Sequence, residues 1–507
     1  MSVFTVEVPA NWRSLAREAL IALIASLLRL LSIQRAQIAS LKKQLEHERA
    51  HRGHAPFSKG PKKGEHKKPG RKKGQGPFTN RQPPDPKDVT RWSHPPVPDA
   101  CEHCGSSDLE KEGEEYFSTT DVPPEPRPEI TAGYRAFGHC RRCGRKWRAR
   151  SPEVPDDQTG ATAHRLGPRV HLAAQALHYP IGIPVCKVPV VLRELTGIAV
   201  TQGALTQHAL KTAEAGPLHD RAKEIEKGVA SAPNIHVDPT GWRIAGKPAA
   251  LTTFATPDTP DAAGKTLYTI TEHHGADELI AVLGPKYPGV VGTDRGPEYR
   301  SKKLEEWRFQ KCATHIKRNV TKALETKKNA ARDFGEEVNR LLDEARRLWR
   351  GWHAGRREGY PEKVARLKER MTYLLRDRSF TDSDNQRLLD GLGREHDRGN
   401  LLRFLFDPSI SPDNHLAELQ LRFGVIARKV SHCSKNERGA KAHAVHTTNF
   451  QTEYRALRFE EKKAKKGGKA LAAKGLSLVN RMLGYLKPAV TPAPQPPAPK
   501  ATDPPPA

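Results

Sequence analysis

Two short apolar runs in this chain each end on an aspartate, and this pattern constrains the fold more than any other. The run NIHVD places Asp238 directly before Pro239, and the run PGVVGTD ends on Asp294. Val and Ile favour strands, whereas proline is largely excluded from the centre of a sheet. We therefore expect each strand to stop at its aspartate, where the carboxylate either caps a turn or binds a metal ion.

The order of elements between the two aspartates favours one topology. Strand-like runs (WRIAG, AALTTFAT, TLYTITE) are followed by ADELIAVLG, which has helical spacing. This order suits three antiparallel strands, a crossover helix, and a strand that returns parallel to the first. Asp238 and Asp294 would then lie at neighbouring strand ends. Their charges repel unless a divalent cation neutralises them, and Mg²⁺ prefers oxygen ligands.

A pair of metal ions would need a third carboxylate, because two ions are usually bridged and flanked by several acidic groups. Glu418 is the candidate, since it lies on a helix that follows a long, charged helical segment. Glu272, Glu298 and Asp413 are alternatives to it.

The charge of the protein indicates a polyanionic partner. Its 507 residues include 85 Lys and Arg against 58 Asp and Glu, a net charge of +27. Each phosphate that a cationic side chain neutralises releases a counterion, so nucleic acid is the expected partner. The most apolar run, residues 19–33, is short for a membrane span and lacks a cleavage site. We expect a cytoplasmic, nucleoid-associated protein with no membrane partner.

Four of the seven cysteines form two Cys-x-x-Cys pairs, Cys101/Cys104 and Cys140/Cys143. Four thiolates complete a closed tetrahedral shell, so the pairs predict a structural Zn²⁺ ion rather than free thiols. Arg141 and Arg142 lie within the second pair and could meet phosphates. Cys312 and His315 also have ligand-like spacing, but they lack a second pair and are assigned to packing.

The N-terminal region predicts self-association followed by a basic arm. Leucine and isoleucine recur every seven residues over 15–48, as in a leucine zipper, although a single packed amphipathic helix is the alternative. The Gly- and Pro-rich segment that follows cannot bury a core. It is either a solvated tether or an arm that contacts DNA phosphates through Lys62, Lys63, Lys67, Lys68, Arg71, Lys72 and Lys73.

These signals indicate a multidomain α+β protein. A zipper-like helix, a basic linker, a zinc module and a helical DNA-binding or spacer region precede the core, and a Pro/Ala-rich tail follows it. The predicted segments are 10–48, 49–94, 95–150, 160–230, 231–315 (first part of the core), 316–405 (helical insertion), 406–486 (last part of the core) and 487–507.

Four segments together resemble the DDE transposases of the insertion-sequence-66 family. They are VDPTGWRIAGK, VVGTDRGPEY, QKCATHIKRNV and SPDNHLAELQLRFGVIARKV. The resemblance implies a ribonuclease-H-like α/β catalytic core with a helical insertion before the third acidic residue. It implies Asp238, Asp294 and Glu418 as an acidic triad that binds Mg²⁺ (or Mn²⁺).

The resemblance also implies a reaction and its partners. Water cleaves a strand at the end of a mobile element, and the freed 3′-hydroxyl attacks target DNA. The implied partners are double-stranded DNA, as terminal repeats and target, and accessory proteins encoded by the same element. Together with the zipper, this predicts a homo-oligomer.

The sequence departs from the family pattern at three positions, Pro239, His415 and Leu419, where the family usually has Glu, Asn and Arg. Arg422, one turn after Glu418, could replace the lost phosphate contact, and Arg318 and Lys429 are further candidate DNA contacts. No residue of the acidic triad is lost, which favours an active transposase. The alternatives are a decayed copy that only binds DNA and a nuclease that hydrolyses without joining.

Overall fold

A computed structural model describes most of the protein after residue 165 and shorter stretches before it. Contacts divide the protein into two compact units, residues 1–123 and 124–507, which are described separately below. The described residues are 17–51, 86–93, 98–100, 103–110, 116, 118–119, 127–130, 136–148, 166–325, 330–376, 378–466 and 477–486.

The first unit contains one long helix, α1 (Arg17–His51). Three residues of the predicted heptad series, Ile24, Leu31 and Ile38, are 50–54% exposed, and Leu41 of the second series is 56% exposed. This apolar seam therefore faces solvent in the single protomer, which is typical of a helix that buries its seam only on association.

The second unit begins with a hairpin and four helices. Strands β1 (Phe137–His139) and β2 (Lys146–Arg148) pair antiparallel. The helices are α2 (Pro168–His178), α3 (Val188–Thr196), α4 (Gln202–Glu214) and α5 (Pro217–Ala230). Leu172 of α2 and Leu218 of α5 are fully buried in one cluster with Phe450. The region predicted to be helical is therefore built into the folded unit.

The centre of this unit is a five-stranded mixed sheet with the order β5-β4-β3-β6-β7. Its first three strands are antiparallel, whereas β6 runs parallel to β3 and β7 parallel to β6. The topology predicted from the sequence is thus confirmed, with helix α6 (Ala276–Leu283) as the crossover. The strands are β3 (Asn234–Ile244), β4 (Lys247–Ala255), β5 (Thr266–Thr271), β6 (Val290–Thr293) and β7 (Arg308–Lys311).

The prediction that the first strand stops at Asp238 is wrong, because β3 continues through Pro239 to Ile244 and pairs with β4 throughout. The carbonyl of Pro233 accepts the N–H of Val290, so odd-numbered residues of β3 direct their main-chain polar groups toward β6. The pairing with β6 ends at His236. The missing N–H of Pro239 therefore lies beyond β6 and breaks no ladder bond.

A helical layer follows β7 in the sequence and precedes the three C-terminal helices. Its helices are α7 (Ala313–Leu324), α8 (Ala330–His353), α9 (Tyr360–Leu375), α10 (Ser383–Asp397) and α11 (Arg403–Phe406). Residues such as Ile316, Leu341, Leu367 and Phe404 form a buried core here, distinct from the clusters on the sheet.

Three C-terminal helices complete the unit: α12 (His415–Ser431), α13 (Glu437–Lys466) and α14 (Ser477–Leu486). Helix α12 packs on the sheet at Gly424, where a Cβ atom would lie 3.0 Å from a methyl group of Leu251. Helix α13 covers the edge strand β5, because the hydroxyls of Thr448 and Thr452 accept the N–H groups of Tyr268 and Thr266. The edge is thereby closed to pairing with another protein. Of the helices described, none has the length and apolar character needed to cross a membrane.

Two fully buried histidines on α13 predict acid lability. Burial lowers the pKa of His443 to about 3 and of His446 to about 4, from an ordinary 6.5. Both imidazoles are neutral at pH 7.5. As pH falls through 6.5, only the unfolded state gains these protons, so stability is lost. At pH 5.5 the expected loss in free energy of unfolding is about 1.4 kcal/mol per histidine.

The measurement is denaturant unfolding of wild type and His443→Phe at pH 7.5 and 5.5, with the exposed His273→Phe as control. The His443 variant should lose less stability between the two pH values than wild type or control. Equal losses in all three proteins would contradict the assignment.

Candidate active site

Asp238 and Asp294 occupy equivalent positions on neighbouring parallel strands. His236 of β3 pairs with Gly292 of β6, and the two aspartates each follow two residues later. Side chains two residues apart in a strand point to the same face, so the shared register directs both carboxylates to one face at the carboxyl end of β6. The structure therefore brings these two sequence-predicted residues together.

A tight turn after β6 fixes the carboxylate of Asp294. Its Oδ1 accepts the N–H of Gly296 at 2.9 Å. A Cβ atom on Gly296 would lie 1.9 Å from Oε1 of Glu298, so glycine leaves the room in which the Glu298 side chain folds back over the turn. Glu298 thus lies close to the same edge of the sheet.

Burial and the negative charges around Asp238 favour the protonated form of its carboxyl group. Burial, together with the charges of Asp294, Glu418 and Glu298, raises the pKa of Asp238 to about 8. A carboxyl group held near such charges prefers the protonated form unless a cation is present. The four acidic residues therefore form one electrostatic cluster, and Glu298, which the sequence offered only as an alternative to Glu418, belongs to it.

Asn414 joins the start of α12 to β3 and thereby positions Glu418. This residue is 1% exposed. Its Nδ2 donates to the carbonyl of Val237 at 2.9 Å, and its Oδ1 lies 3.1 Å from Nδ1 of His236. Both partners directly precede Asp238. Glu418 follows Asn414 by one helical turn, so the amide holds the turn that carries Glu418 close to β3.

Asp413, another alternative third carboxylate, is engaged in holding two segments together. Its Oδ1 accepts the backbone N–H and the hydroxyl of Thr314 at 3.0 and 2.7 Å. Its Oδ2 pairs with Arg346 at 2.7 Å. Asp413 therefore ties the segment before α12 to the start of α7. Glu272, the remaining alternative, is exposed.

A buried lysine that the sequence analysis did not select lies beside this edge. Lys311 is 1% exposed, and its Nζ donates to Oγ1 of Thr293 at 3.0 Å and lies over the ring of Tyr299. Burial lowers its pKa to about 8, opposed by nearby acids that include Asp294. The lysine thus supplies positive charge next to Asp294, and its only sequence signal was a charge at the end of an apolar strand.

Glu418 itself contacts α7 rather than the aspartates. Its Oε1 lies 3.4 Å from Nδ1 of His315, and its Oε2 lies 3.9 Å from Nδ1 of His415. Within the described residues, one group of three metal-ligating side chains has all its ligand atoms within 4.8 Å of one another: Cys312, His315 and Glu418. Asp238 and Asp294 do not complete such a group with Glu418.

The predicted DNA-contacting residues of the described core are exposed. Arg318 lies on α7, and Arg422 and Lys429 lie on α12. Arg428, the neighbour of Lys429, is instead 8% exposed and donates to the hydroxyl of Thr240 and the carbonyl of Gly241. Arg428 therefore holds α12 on β3. The lysines and arginine predicted to contact DNA between positions 62 and 73 lie outside the described residues.

The second cysteine pair lies in a tight hairpin turn. The N–H of Cys140 donates to the carbonyl of Arg145, and Gly144, at φ 69°, donates back to Cys140. The backbone N–H groups of Cys143 and Arg142 lower the pKa of the Cys140 thiol, which favours a thiolate. Arg142 and its neighbour Arg141 are exposed in this turn.

The first cysteine pair is described only in part. Cys104 is an exposed, free cysteine. Cys140 and Cys143 are likewise free, and Cys101 lies outside the described residues. The four-thiolate site stays a prediction.

A sequence profile of the family described as "Transposase IS66 family" matches residues 165–442, more than half of the protein. The match includes the whole sheet, the helical layer and all three predicted acidic residues. The protein therefore belongs to the IS66 transposase family. A search of curated proteins found no match.

The position of Asn414 predicts a large stability cost on substitution. Asn414→Ala leaves the Val237 carbonyl and the His236 ring without partners in a buried place, which costs roughly 1–3 kcal/mol for each group. Urea unfolding measures the change. The matched control is Asn234→Ala, which removes an exposed side-chain bond to Ser409 and should cost less than about 1 kcal/mol. Similar losses of unfolding free energy in both variants would contradict the role of Asn414 in joining α12 to β3.

Proposed function

We propose that this protein is a DNA transposase that cleaves the ends of an insertion sequence and joins them to target DNA, with Asp238, Asp294 and Glu418 as its acidic triad. Membership of a transposase family supports the reaction class. The observation that carries the assignment of residues is the shared edge: two aspartates at equivalent positions of paired parallel strands, with the first turn of α12 joined to β3 beside them.

The donor set fits a divalent cation. Asp238, Asp294 and Glu418 offer hard oxygen ligands, and burial, together with the charges of the other two, raises the pKa of Asp238. These residues would hold Mg²⁺ or Mn²⁺, which when bound activates an attacking oxygen and stabilises a leaving one. Glu298 adds negative charge at the same edge. The ammonium group of Lys311, which donates to Thr293 at the end of β6, offsets part of this charge.

The protein's own residues would orient the DNA. Arg422 and Lys429 are exposed on the helix that carries Glu418, and Arg318 is exposed on the helix that carries His315. Cationic side chains placed around an acidic site can hold phosphates on either side of the scissile bond without entering it. The predicted zinc module and basic arm would add contacts to the terminal repeats, and accessory proteins of the same element would assist.

The activity test uses double-stranded DNA taken from the sequence that flanks the gene, with Mg²⁺ or Mn²⁺. Wild type should cleave and join strands, and removal of the ion by a chelator should stop both. Asp294→Asn should lower the rate by at least about 10³-fold, because it removes a charged ligand at the reacting centre. Asp277→Asn, an exposed aspartate on α6, is the matched control and should retain the wild-type rate.

Three results would distinguish the alternatives. Nicks without joined products indicate a nuclease. Salt-sensitive DNA binding without cleavage indicates a decayed copy. Full activity in Asp294→Asn would refute the assignment of the triad.

We also infer that α1 pairs protomers through its exposed seam. The double variant Ile24→Lys/Leu31→Lys places charges in this seam and should reduce the oligomer to a smaller species in size-exclusion chromatography with light scattering. Ser32→Lys/Ala36→Lys adds the same charge to exposed positions that face away from the seam and should leave the mass unchanged. An unchanged mass in both variants would contradict this role of α1.

A further inference from the structure

The group of Cys312, His315 and Glu418 is not used by the proposed reaction as a whole, although it contains one member of the triad. Its ligand atoms lie within 4.8 Å of one another, and the imidazole and the carboxylate are 3.4 Å apart at their nearest atoms. Cys312 directly precedes α7, His315 lies in the first turn of α7, and Glu418 lies in the first turn of α12. Two helix starts therefore converge on this point.

Main-chain bonds hold the two helix starts in place. The N–H of Cys312 donates to the carbonyl of Thr293 at 2.8 Å, and the N–H of Ala313 donates to the carbonyl of Pro412 at 2.9 Å. The N–H of Asn414 then donates to Sγ of Cys312 at 3.2 Å. Because these bonds hold both helix starts, the backbone keeps the three ligand residues close to one another.

The ligand atoms of Cys312 and His315 differ in their present partners. Sγ of Cys312 already accepts a hydrogen bond. Burial raises the pKa of this thiol, and a metal ion that coordinates a thiol removes its proton. Nδ1 of His315 is buried and has no hydrogen-bond partner within the described residues, because its 3.4 Å approach to Glu418 lacks the geometry of a hydrogen bond. A buried polar atom without a partner is costly, so it commonly has a function or a missing ligand.

The chemistry of the donor set selects a different ion from the catalytic one. A thiolate and an imidazole suit Zn²⁺ or Co²⁺, whereas Mg²⁺ takes oxygen ligands. In a tetrahedral zinc site the ligand atoms are roughly 3.5 Å apart, given bonds of about 2.0–2.3 Å. The observed limit of 4.8 Å therefore requires only a small contraction of the three ligand groups. Three protein ligands leave the fourth position for water.

We propose that Cys312, His315 and Glu418 form a Zn²⁺ site that competes with the catalytic ion for Glu418. The site as such depends only on the three side chains. Its regulatory effect rests on the proposed function, because a carboxylate bound to zinc at α7 is withdrawn from the edge that carries Asp238 and Asp294. Zinc would then hold the enzyme in an inactive state, and its loss would release Glu418.

The first experiment measures metal content and needs no activity. Full-length protein is stripped with chelator, loaded with Zn²⁺ and desalted, and zinc per protomer is measured. Wild type should retain one more equivalent than Cys312→Ser and than His315→Ala, whatever the other cysteine pairs bind. Cys186→Ser, which removes an exposed cysteine outside the pairs, should match wild type.

Cobalt gives a second readout for the same proteins. Loading with Co²⁺ should produce a thiolate-to-cobalt charge-transfer band that is weaker in Cys312→Ser than in wild type and Cys186→Ser. The use of two variants, one at a buried and one at a half-buried position, protects against misfolding of either. Equal zinc content and equal bands in wild type and both variants would overturn the site.

The regulatory part is tested by adding Zn²⁺ to Mg²⁺-dependent cleavage, with each protein compared to its own zinc-free rate. Wild type should lose activity as zinc is added, and Cys312→Ser should lose much less. If all proteins bind zinc as expected but none cleaves DNA, the proposed function fails and the site stands. If wild type and Cys312→Ser are inhibited alike, the competition for Glu418 is refuted.

Discussion

The parallel pairing of β3 with β6 is the constraint on which the site depends. It places Asp238 and Asp294 at equivalent points of adjacent strands, where two negative charges share one face. An isolated pair of this kind is unfavourable, and burial together with the charge of Asp294 raises the pKa of Asp238. The rest of the unit holds this arrangement in place, because α13 seals the far edge of the sheet and α6 makes the crossover that parallel pairing requires.

The start of α12, which carries Glu418, is tied both to the sheet and to the helical layer. A buried amide, Asn414, bonds to the two residues before Asp238, while Asp413 bonds to the first turn of α7. These adjacent residues bind the sheet and the helical layer to the same short segment, so the position of Glu418 depends on both. The helical layer can therefore precede α12 in the sequence without separating the start of α12 from β3.

Sequence reasoning predicted the strand order and the placement of Asp238 and Asp294, because alternation, crossover length and terminal charges are local signals. The predicted end of β3 at Asp238 was wrong. A strand can continue through a proline whose missing N–H faces a side without a neighbouring strand, and only the assembled sheet shows which side that is. Asn414 and Lys311 were missed for a similar reason. Their roles arise from partners distant in sequence, Val237 and Thr293, and no spacing within one segment reveals such contacts. Arg428 and Lys429 are equally basic, yet one is buried and one exposed, which depends on how α12 packs.

The positions at which this protein departs from the family pattern are compatible with this arrangement. Pro239 replaces an acidic residue at a point of β3 where no ladder bond is lost, and Arg422 stays exposed one turn after Glu418. At the position where the family usually has Arg, this protein has Leu419, which is 41% exposed on the same helix. The four acidic residues of the electrostatic cluster are retained.

The most direct measurement of the central claim is anomalous diffraction from crystals grown with Mn²⁺ and kept free of zinc. We predict an ion at bonding distance from carboxylate oxygens of both Asp238 and Asp294, with the carboxylate of Glu418 turned toward it and away from His315. A crystal with manganese bound elsewhere, and with those two aspartates free of metal at saturating concentration, would contradict it.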